Sequence, residues 1–181
     1  NAYAGKSGTK FSIVRYGNVM GSRGSVIPFF IQNKANKSFP ITDRNMTRFM
    51  ITLEEGVESV WYAFDDMVGG EIYIKKIPSM NIMEIAKAVL DDFDHEIIGI
   101  RPGEKLHEQM IGEEDAPFTY EYSDYFKILP NINNWGSDPK RIKDGNIVSS
   151  GFIYDSQTND NWMSDQELIE WVSNTSNFID S

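Results

Sequence analysis

Cysteine is absent from these 181 residues, which excludes disulfides, thiolate catalysis and cysteine-based zinc sites. Histidine is scarce: His95 and His107 stand apart, and neither "DHE" nor "HE" supplies an i, i+4 pair, so no metal is expected. No apolar run approaches the roughly 20 residues that cross a bilayer. No basic-then-apolar leader follows Asn1, and a chain opening on Asn is expected to be trimmed or cut from a longer protein. A cytoplasmic setting without a membrane partner is the expectation. Basic residues are also short, 17 against 27 acidic, for a net charge of −10. The deficit is uneven, with 14 acids and 13 bases up to residue 112 but 13 acids and 4 bases beyond it. Such a surface repels nucleic acid and anionic membrane. Five of the six arginines (15, 23, 44, 48 and 101) nevertheless fall in the balanced part, and arginine suits bidentate phosphate contacts. A small anionic ligand is the partner this pattern suggests.

What is present reads as alternating strands and helices. "KFSIVRYGNV" is β-rich and apolar on both faces, as a buried parallel strand should be. "SVIPFFIQNKANK" reads as a short helix with Ser25 as cap and Pro28 in its first turn. "FPITD" is a brief strand. "TLEEGVESVWYAFDD" has Thr52 and Glu55 in capping-box spacing and an apolar stripe at 53, 57, 60, 61 and 64, expected to face a core. "GGEIYIKK" is a strand, "SMNIMEIAKAVLDDF" a helix burying Ile82, Ile85, Ala86 and Val89, and "HEIIGIR" a further strand. The alternation predicts an α/β fold with parallel pairing. Beyond residue 112, Pro, Gly, Asn and Asp break the pattern repeatedly, until a capped helix over "SDQELIEWVSNTSNF". Tyr120, Tyr122, Tyr125, Phe126 and Trp135 make this tail too aromatic to be disordered, and it is expected to pack across the α/β body.

The stretch "YGNVMGSRGSVIPFF" sets Gly17, Gly21 and Gly24 in a spacing that invites comparison with a dinucleotide-binding turn. Such a turn needs a first βαβ unit and a carboxylate about 20 residues on. Asp43 lies at that distance, but "FPITD" is a weak second strand and the interval holds only one short helix. The glycines serve equally well to let the chain leave a strand tightly.

Four collinear blocks, "FSIVRYGNVMGSRGSVIPFF", "ITDRNMTRFMIT", "GGEIYIKKIPSM" and "IIGIRPGEKLHEQMI", resemble the carboxyl-terminal half of the nucleotide-sugar branch of extended short-chain dehydrogenases/reductases. More narrowly they are similar to the inverting UDP-N-acetylglucosamine 4,6-dehydratases of flagellin-glycan and capsule polysaccharide biosynthesis, with "YDSQTNDNWMSDQEL" continuing the likeness. The resemblance implies the carboxyl-terminal portion of a Rossmann-type parallel sheet plus a small substrate-binding subdomain. Residues 1–112 would complete the NADP- and nucleotide-sugar-binding α/β domain, and 113–181 would be an irregular aromatic extension ending in a helix. It also implies that the pyrophosphate turn and the catalytic Tyr-x-x-x-Lys precede this chain. Tyr3 and Lys6 are one residue too close, and Tyr125 and Lys127 closer still, so no catalytic residue is assigned.

By the same resemblance, Tyr16, Gly17, Asn18 and Val19 border the nicotinamide of NADP, with most of the cofactor's site upstream. Asn18 also meets the substrate phosphates; by itself it could equally be a turn Asn bonding its own backbone. Ser25 and Val26 line the nucleotide pocket, Thr42 lies near the uracil, Arg48 clamps the diphosphate, and Arg101 and Glu104 take the diphosphate and the ribose hydroxyls. Each has a plainer reading. Arg48 could be a solvated surface arginine, although Met46, Phe49 and Met50 around it argue for partial burial. Pro102 and Glu104 could be ordinary helix-start chemistry, with His107 on the surface of the helix that follows.

The reaction so implied moves hydride from sugar C4 to NADP⁺, eliminates water across C5–C6 and returns hydride to C6 with inversion at C5. The substrate would be a UDP-N-acetylhexosamine, and the complete protein a homo-oligomer. The piece alone is expected to be inactive and its sheet to end in an open edge. Two alternatives remain: a UDP-hexose 4-epimerase or reductase of the same superfamily, and a non-catalytic nucleotide-binding module.

Overall fold

The structure, a computed structural model, describes residues 8–22 and 24–179; Tyr3, Lys6 and Arg23 lie outside them. In chain order come β1 (Ile13–Arg15), β2 (Asn18–Val19), α1 (Val26–Asn33), β3 (Ser38–Ile41), β4 (Thr47–Ile51), α2 (Leu53–Asp66), β5 (Ile72–Lys75), β6 (Ser79–Asn81) and α3 (Ile82–Val89). There follow β7 (Asp94–Ile97), β8 (Gln109–Ile111), β9 (Thr119–Glu121), β10 (Tyr125–Ile128), α4 (Pro139–Ile142), β11 (Asn146–Ile147), β12 (Tyr154–Asp155) and α5 (Asp165–Ile179). No described helix is long and apolar enough to cross a membrane. Contacts divide the chain into two compact units: residues 8–16, 53–76 and 109–154, and residues 17–22, 24–52, 77–108 and 155–179.

The first unit is built on a five-stranded sheet in the order β1-β5-β10-β9-β11. β1 and β5 run parallel, Ile13 beside Ile72 and Arg15 beside Ile74, and the remaining pairs are antiparallel. The β-rich run 10–19 is therefore not one strand buried on both faces. It breaks at Tyr16–Gly17 into β1 and β2 in separate sheets, and β1 is an edge on which Ile13 is 55% exposed. The aromatic stretch after residue 112 holds a strand that pairs with β5, with Phe126 beside Ile74.

Helix α2 contacts β1 and β5, and of its residues Gly56 and Ala63 are buried. Its apolar stripe does not face that core, against the sequence expectation. Leu53, Val57, Val60, Trp61 and Phe64 are all exposed, Trp61 by 63%. Helical period identifies an amphipathic helix, but it does not say which face another part of the protein will cover.

Two buried charge clusters brace this unit. Asp66 accepts hydrogen bonds from Tyr73 Oη (2.8 Å) and Lys127 Nζ (2.9 Å), and pairs with Lys143. Glu71 accepts from the backbone N–H of Gly69 at 2.8 Å and pairs with Arg141, whose guanidinium lies 4.1 Å from the Trp135 ring centroid.

The second unit holds the sheet β2-β4-β6 and the parallel pair β3-β7, with Phe39 beside His95. Helices α1, α3 and α5 pack on one another around a core of Ile27, Phe30, Phe39, Met80, Ile85 and Leu168. α3 is the helix the sequence describes, burying Ile82, Ile85, Ala86 and Val89, and Asn81 and Glu84 close a capping box at its start. α1 begins after Ser25, but the expected side-chain cap is not made: the hydroxyl of Ser25 is buried and has no hydrogen-bond partner among the described residues.

Candidate functional site

The sequence-predicted site residues fall in the second unit, except Tyr16, which belongs to the first and is 42% exposed. Asn18 opens β2 exposed, and Val19 follows it half-buried; they pair in parallel with Met50 and Ile51 of β4. Gly17 permits this approach. A Cβ there would lie 2.7 Å from Cβ of Phe49, closer than side-chain atoms pack.

Arg48 is not a solvated surface arginine: it sits inside β4, opposite Met80 of β6. The β-branched and aromatic residues of "TRFMI" favour a strand, and Thr47, Phe49, Met50 and Ile51 bury around it. Its side chain is only 12% exposed. Nη1 donates to the carbonyls of Thr47 at 2.7 Å and Leu106 at 3.1 Å, which uses both of its protons and fixes the plane of the guanidinium. Nη2 lies 3.7 Å from Glu104 and Nε 3.8 Å from Glu108. Those separations neutralise charge but exceed the 2.7–2.9 Å of a charge-assisted hydrogen bond. The guanidinium is thus oriented by carbonyls while, among the described residues, Nη2 and Nε keep only long carboxylate contacts, and an oxyanion can compete for them.

Glu104 belongs to a turn and not to the expected helix start. Pro102 followed by Gly103 at φ +82° has the pattern of a type II turn, closed by Glu104 N–H on the carbonyl of Arg101 at 3.0 Å. Glu104 Oε2 accepts from the backbone N–H of Arg101 at 3.2 Å. Arg48 and Arg101 are therefore linked through one carboxylate: the guanidinium of the first and the backbone of the second both meet Glu104. The side chain of Arg101 is exposed. Ser25, Val26 and Thr42 are half-buried at element ends, and no hydrogen bond among the described residues joins them to Arg48 or Glu104.

Four neighbours were not singled out from the sequence as part of this site. His107 is not on a helix surface; its Nδ1 lies 2.8 Å from Oγ1 of Thr47. Thr47 Oγ1 is also 2.7 Å from Oγ of Ser156, which accepts the backbone N–H of Glu108 at 2.9 Å. Glu108 Oε2 accepts from Phe49 N–H at 3.0 Å. Burial pushes the carboxyl of Glu108 above its ordinary value, and the Phe49 hydrogen bond and the distant Arg48 charge offset this only in part. Thr47 and Ser156 carry no sequence signal beyond their type, because nothing local announces that two distant hydroxyls will meet.

The family model described as "Polysaccharide biosynthesis protein" matches residues 1–130. The chain is 46% identical to a UDP-N-acetylglucosamine 4,6-dehydratase (inverting) of Campylobacter jejuni subsp. jejuni serotype O:23/36, over 98% of this chain and 55% of that protein. It is 42% identical to a UDP-glucose 4-epimerase of Rickettsia massiliae, over 66% of this chain and 37% of the other. The X-ray structure of Pen from Bacillus thuringiensis matches with a TM-score of 0.80 and 32% identity, over 95% of this chain and 52% of that one. The chain spans about half the length of these dehydratase relatives. The likeness to Pen and the parallel ladders β1–β5, β2–β4 and β3–β7 make this the α/β architecture of a Rossmann-type fold.

Proposed function

The chain belongs to the polysaccharide biosynthesis protein family, and from that premise we propose that it is the carboxyl-terminal part of an NADP-dependent, inverting UDP-N-acetylglucosamine 4,6-dehydratase. One observation carries the reading: Arg48 is almost buried and oriented by two carbonyls, yet holds its carboxylates at 3.7 and 3.8 Å. A nearly buried cation whose described carboxylate partners stand beyond hydrogen-bond distance suits a phosphate ligand. In this reading Arg48 and Arg101 take the diphosphate. Charged hydrogen bonds contribute about 1.5–3 kcal/mol each. Glu104 accepts from the ribose diol, Thr42 stands near the uracil, and Ser25, Val26 and Asn18 complete the nucleotide pocket. Ser25 supports it further, since its buried hydroxyl has no partner among the described residues and a ligand would satisfy it.

Tyr16, Gly17, Asn18 and Val19 fit the nicotinamide end of NADP: the glycine backbone is flanked by two exposed polar side chains able to hydrogen-bond an amide. These residues would hold the nicotinamide end of the cofactor, which would supply reversible hydride transfer. What this chain does toward the reaction is to bind and orient the substrate. The proton-moving Tyr and Lys are assigned to a preceding part of the longer protein, so this chain by itself is inactive. The complete protein is read as a cytoplasmic homo-oligomer supplying sugars for surface glycans such as those of flagellin.

A second reading, a UDP-hexose 4-epimerase, is favoured by the likeness to the Rickettsia protein. Incubating the full-length protein with UDP-N-acetylglucosamine and following the product by NMR separates the two. A UDP-4-keto-6-deoxy sugar supports the dehydratase. The C4 epimer alone supports the epimerase, and no turnover together with no UDP binding overturns both.

A further inference from the structure

Ser156 is fully buried in the second unit, and its hydroxyl ties together segments that lie far apart in the chain. It takes the backbone N–H of Glu108 at 2.9 Å and pairs with Thr47 Oγ1 at 2.7 Å, while its own N–H donates to the carbonyl of Glu108 at 2.8 Å. The turn that bears it is itself anchored. Asp155 Oδ1 accepts from the N–H groups of Gln157 and Thr158, both at 2.8 Å, and Asn159 Nδ2 donates to Ile77 O at 3.1 Å and Ser79 Oγ at 3.0 Å. Ser156 is therefore a fixed point.

We propose that Ser156 is the positioning residue for Arg48. The two acceptors that orient Nη1 are the carbonyls of Thr47 and Leu106. Thr47 is held by Ser156 through its hydroxyl, and Leu106 opens the short segment whose Glu108 is held by Ser156 through the backbone. Glu108, the carboxylate beside Nε, is fixed by the same bonds. A hydroxyl can both donate and accept, and here one lone pair takes the N–H of Glu108 while the same oxygen also bonds Thr47 Oγ1. Without it, the buried N–H of Glu108 loses a partner and the hydroxyl of Thr47 keeps His107 Nδ1, so the two segments whose carbonyls set the guanidinium lose one of the ties between them; the Thr47 N–H on Leu106 O at 3.1 Å remains. The resemblance that extends to "YDSQTNDNW" thereby acquires a physical role: this turn, contributed from near the end of the chain, aims the arginine. The inference rests on the reading of Arg48 as the diphosphate ligand.

The test is a double-mutant cycle in the full-length protein, with UDP and uridine titrated separately and followed by NMR. Ser156→Ala is expected to weaken UDP about tenfold and leave uridine within about twofold, because only the diphosphate meets Arg48. In an Arg48→Ala background, Ser156→Ala should change UDP affinity no further. Equal losses for UDP and uridine, or losses that add across the cycle, overturn the assignment. Should Ser156→Ala fail to fold, Thr47→Val, which keeps the shape and removes the other hydroxyl, decides by the same criteria. Wild-type protein that binds no UDP would instead overturn the reading of Arg48, and the inference with it.

Discussion

Arg48 and Glu104 face each other across 3.7 Å, Nη2 to Oε1, whereas Arg48 Nη1 sits 2.7 Å from the carbonyl of Thr47. The short contact positions the guanidinium and the long one only neutralises it, so the carboxylate can yield to a better anion. Lysine in place of Arg48 keeps the charge but cannot hold two carbonyls while presenting two further donors. Arg48→Lys is therefore expected to weaken UDP binding by at least about tenfold, and Arg48→Ala by more, read by calorimetry on the full-length protein. Equal affinity in Arg48→Lys would mean that only charge matters.

Asp66 is the acceptor on which Lys127, 1% exposed, depends. Burial tends to raise the carboxyl of Asp66, but hydrogen bonds from Lys143, Lys127 and Tyr73 outweigh it and hold the group below its ordinary 3.8. A depressed acid adds stability above its unfolded value and loses it as pH falls through the folded one. Asp66→Asn should cost about 3–5 kcal/mol near neutrality, since it leaves an ammonium buried without its anion. It should also flatten the acid limb of stability below about pH 4 in urea titrations. Adding Lys127→Met should restore much of the loss.

Glu108 has the opposite sign. Its folded-state affinity for a proton exceeds the unfolded one, because burial disfavours the charged form. Its contribution to stability therefore grows as pH falls from neutrality toward the ordinary 4.5, and is lost as pH rises through the folded value. Glu108→Gln keeps an oxygen for the N–H of Phe49 and removes the titration. Stability of the variant should change less than that of the wild type as pH rises above the ordinary 4.5; an unchanged slope would remove Glu108 as the titrating group.

Local pattern carried part of this structure. Ile82, Ile85, Ala86 and Val89 mark one face of α3 because spacing alone decides which side of a short helix is apolar. Arg48 could be flagged from its apolar neighbours, whereas Glu104 comes only from the family resemblance. The rest depends on contacts between segments. The strand Tyr125–Ile128 is recognisable only once β5 is there to pair with it, and the meeting of Thr47 with Ser156 follows from the path of the whole chain. Pro102-Gly103 makes a turn where Pro102 and Glu104 could equally start a helix, because Gly103 takes the positive φ that a type II turn requires.

The stripe on α2 shows the same division. Periodicity placed Leu53, Val57, Val60, Trp61 and Phe64 on one face, and the structure leaves that face uncovered among the described residues. An apolar patch of this kind promotes association. The 181-residue chain should self-associate with rising concentration in light scattering and bind a hydrophobic dye. Val57→Gln with Trp61→Gln should reduce both while shifting the unfolding midpoint little, because neither side chain is buried. A large loss of stability would show that the face is packed in solution.

Gly17 separates the segment of β1 from β2, and its backbone lies against Phe49 in the strand that carries Arg48. The constraint is one of space, since a Cβ would stand 2.7 Å from Cβ of Phe49 and press on its carbonyl as well. The neighbour is backbone in β4 and cannot swing aside. Gly17→Ala should therefore push β2 from β4, where Asn18 and Val19 pair with Met50 and Ile51. A cost of about 1–3 kcal/mol is expected for such overpacking. Because β4 is displaced with its arginine, UDP affinity should fall in the same variant, whereas Gly24→Ala, with open space around it, should cost stability through its φ of +76° and leave β4 in register. Amide exchange on Met50 and Ile51 separates the two: faster in Gly17→Ala and unaltered in Gly24→Ala if the close approach of Gly17 is what holds the pair together.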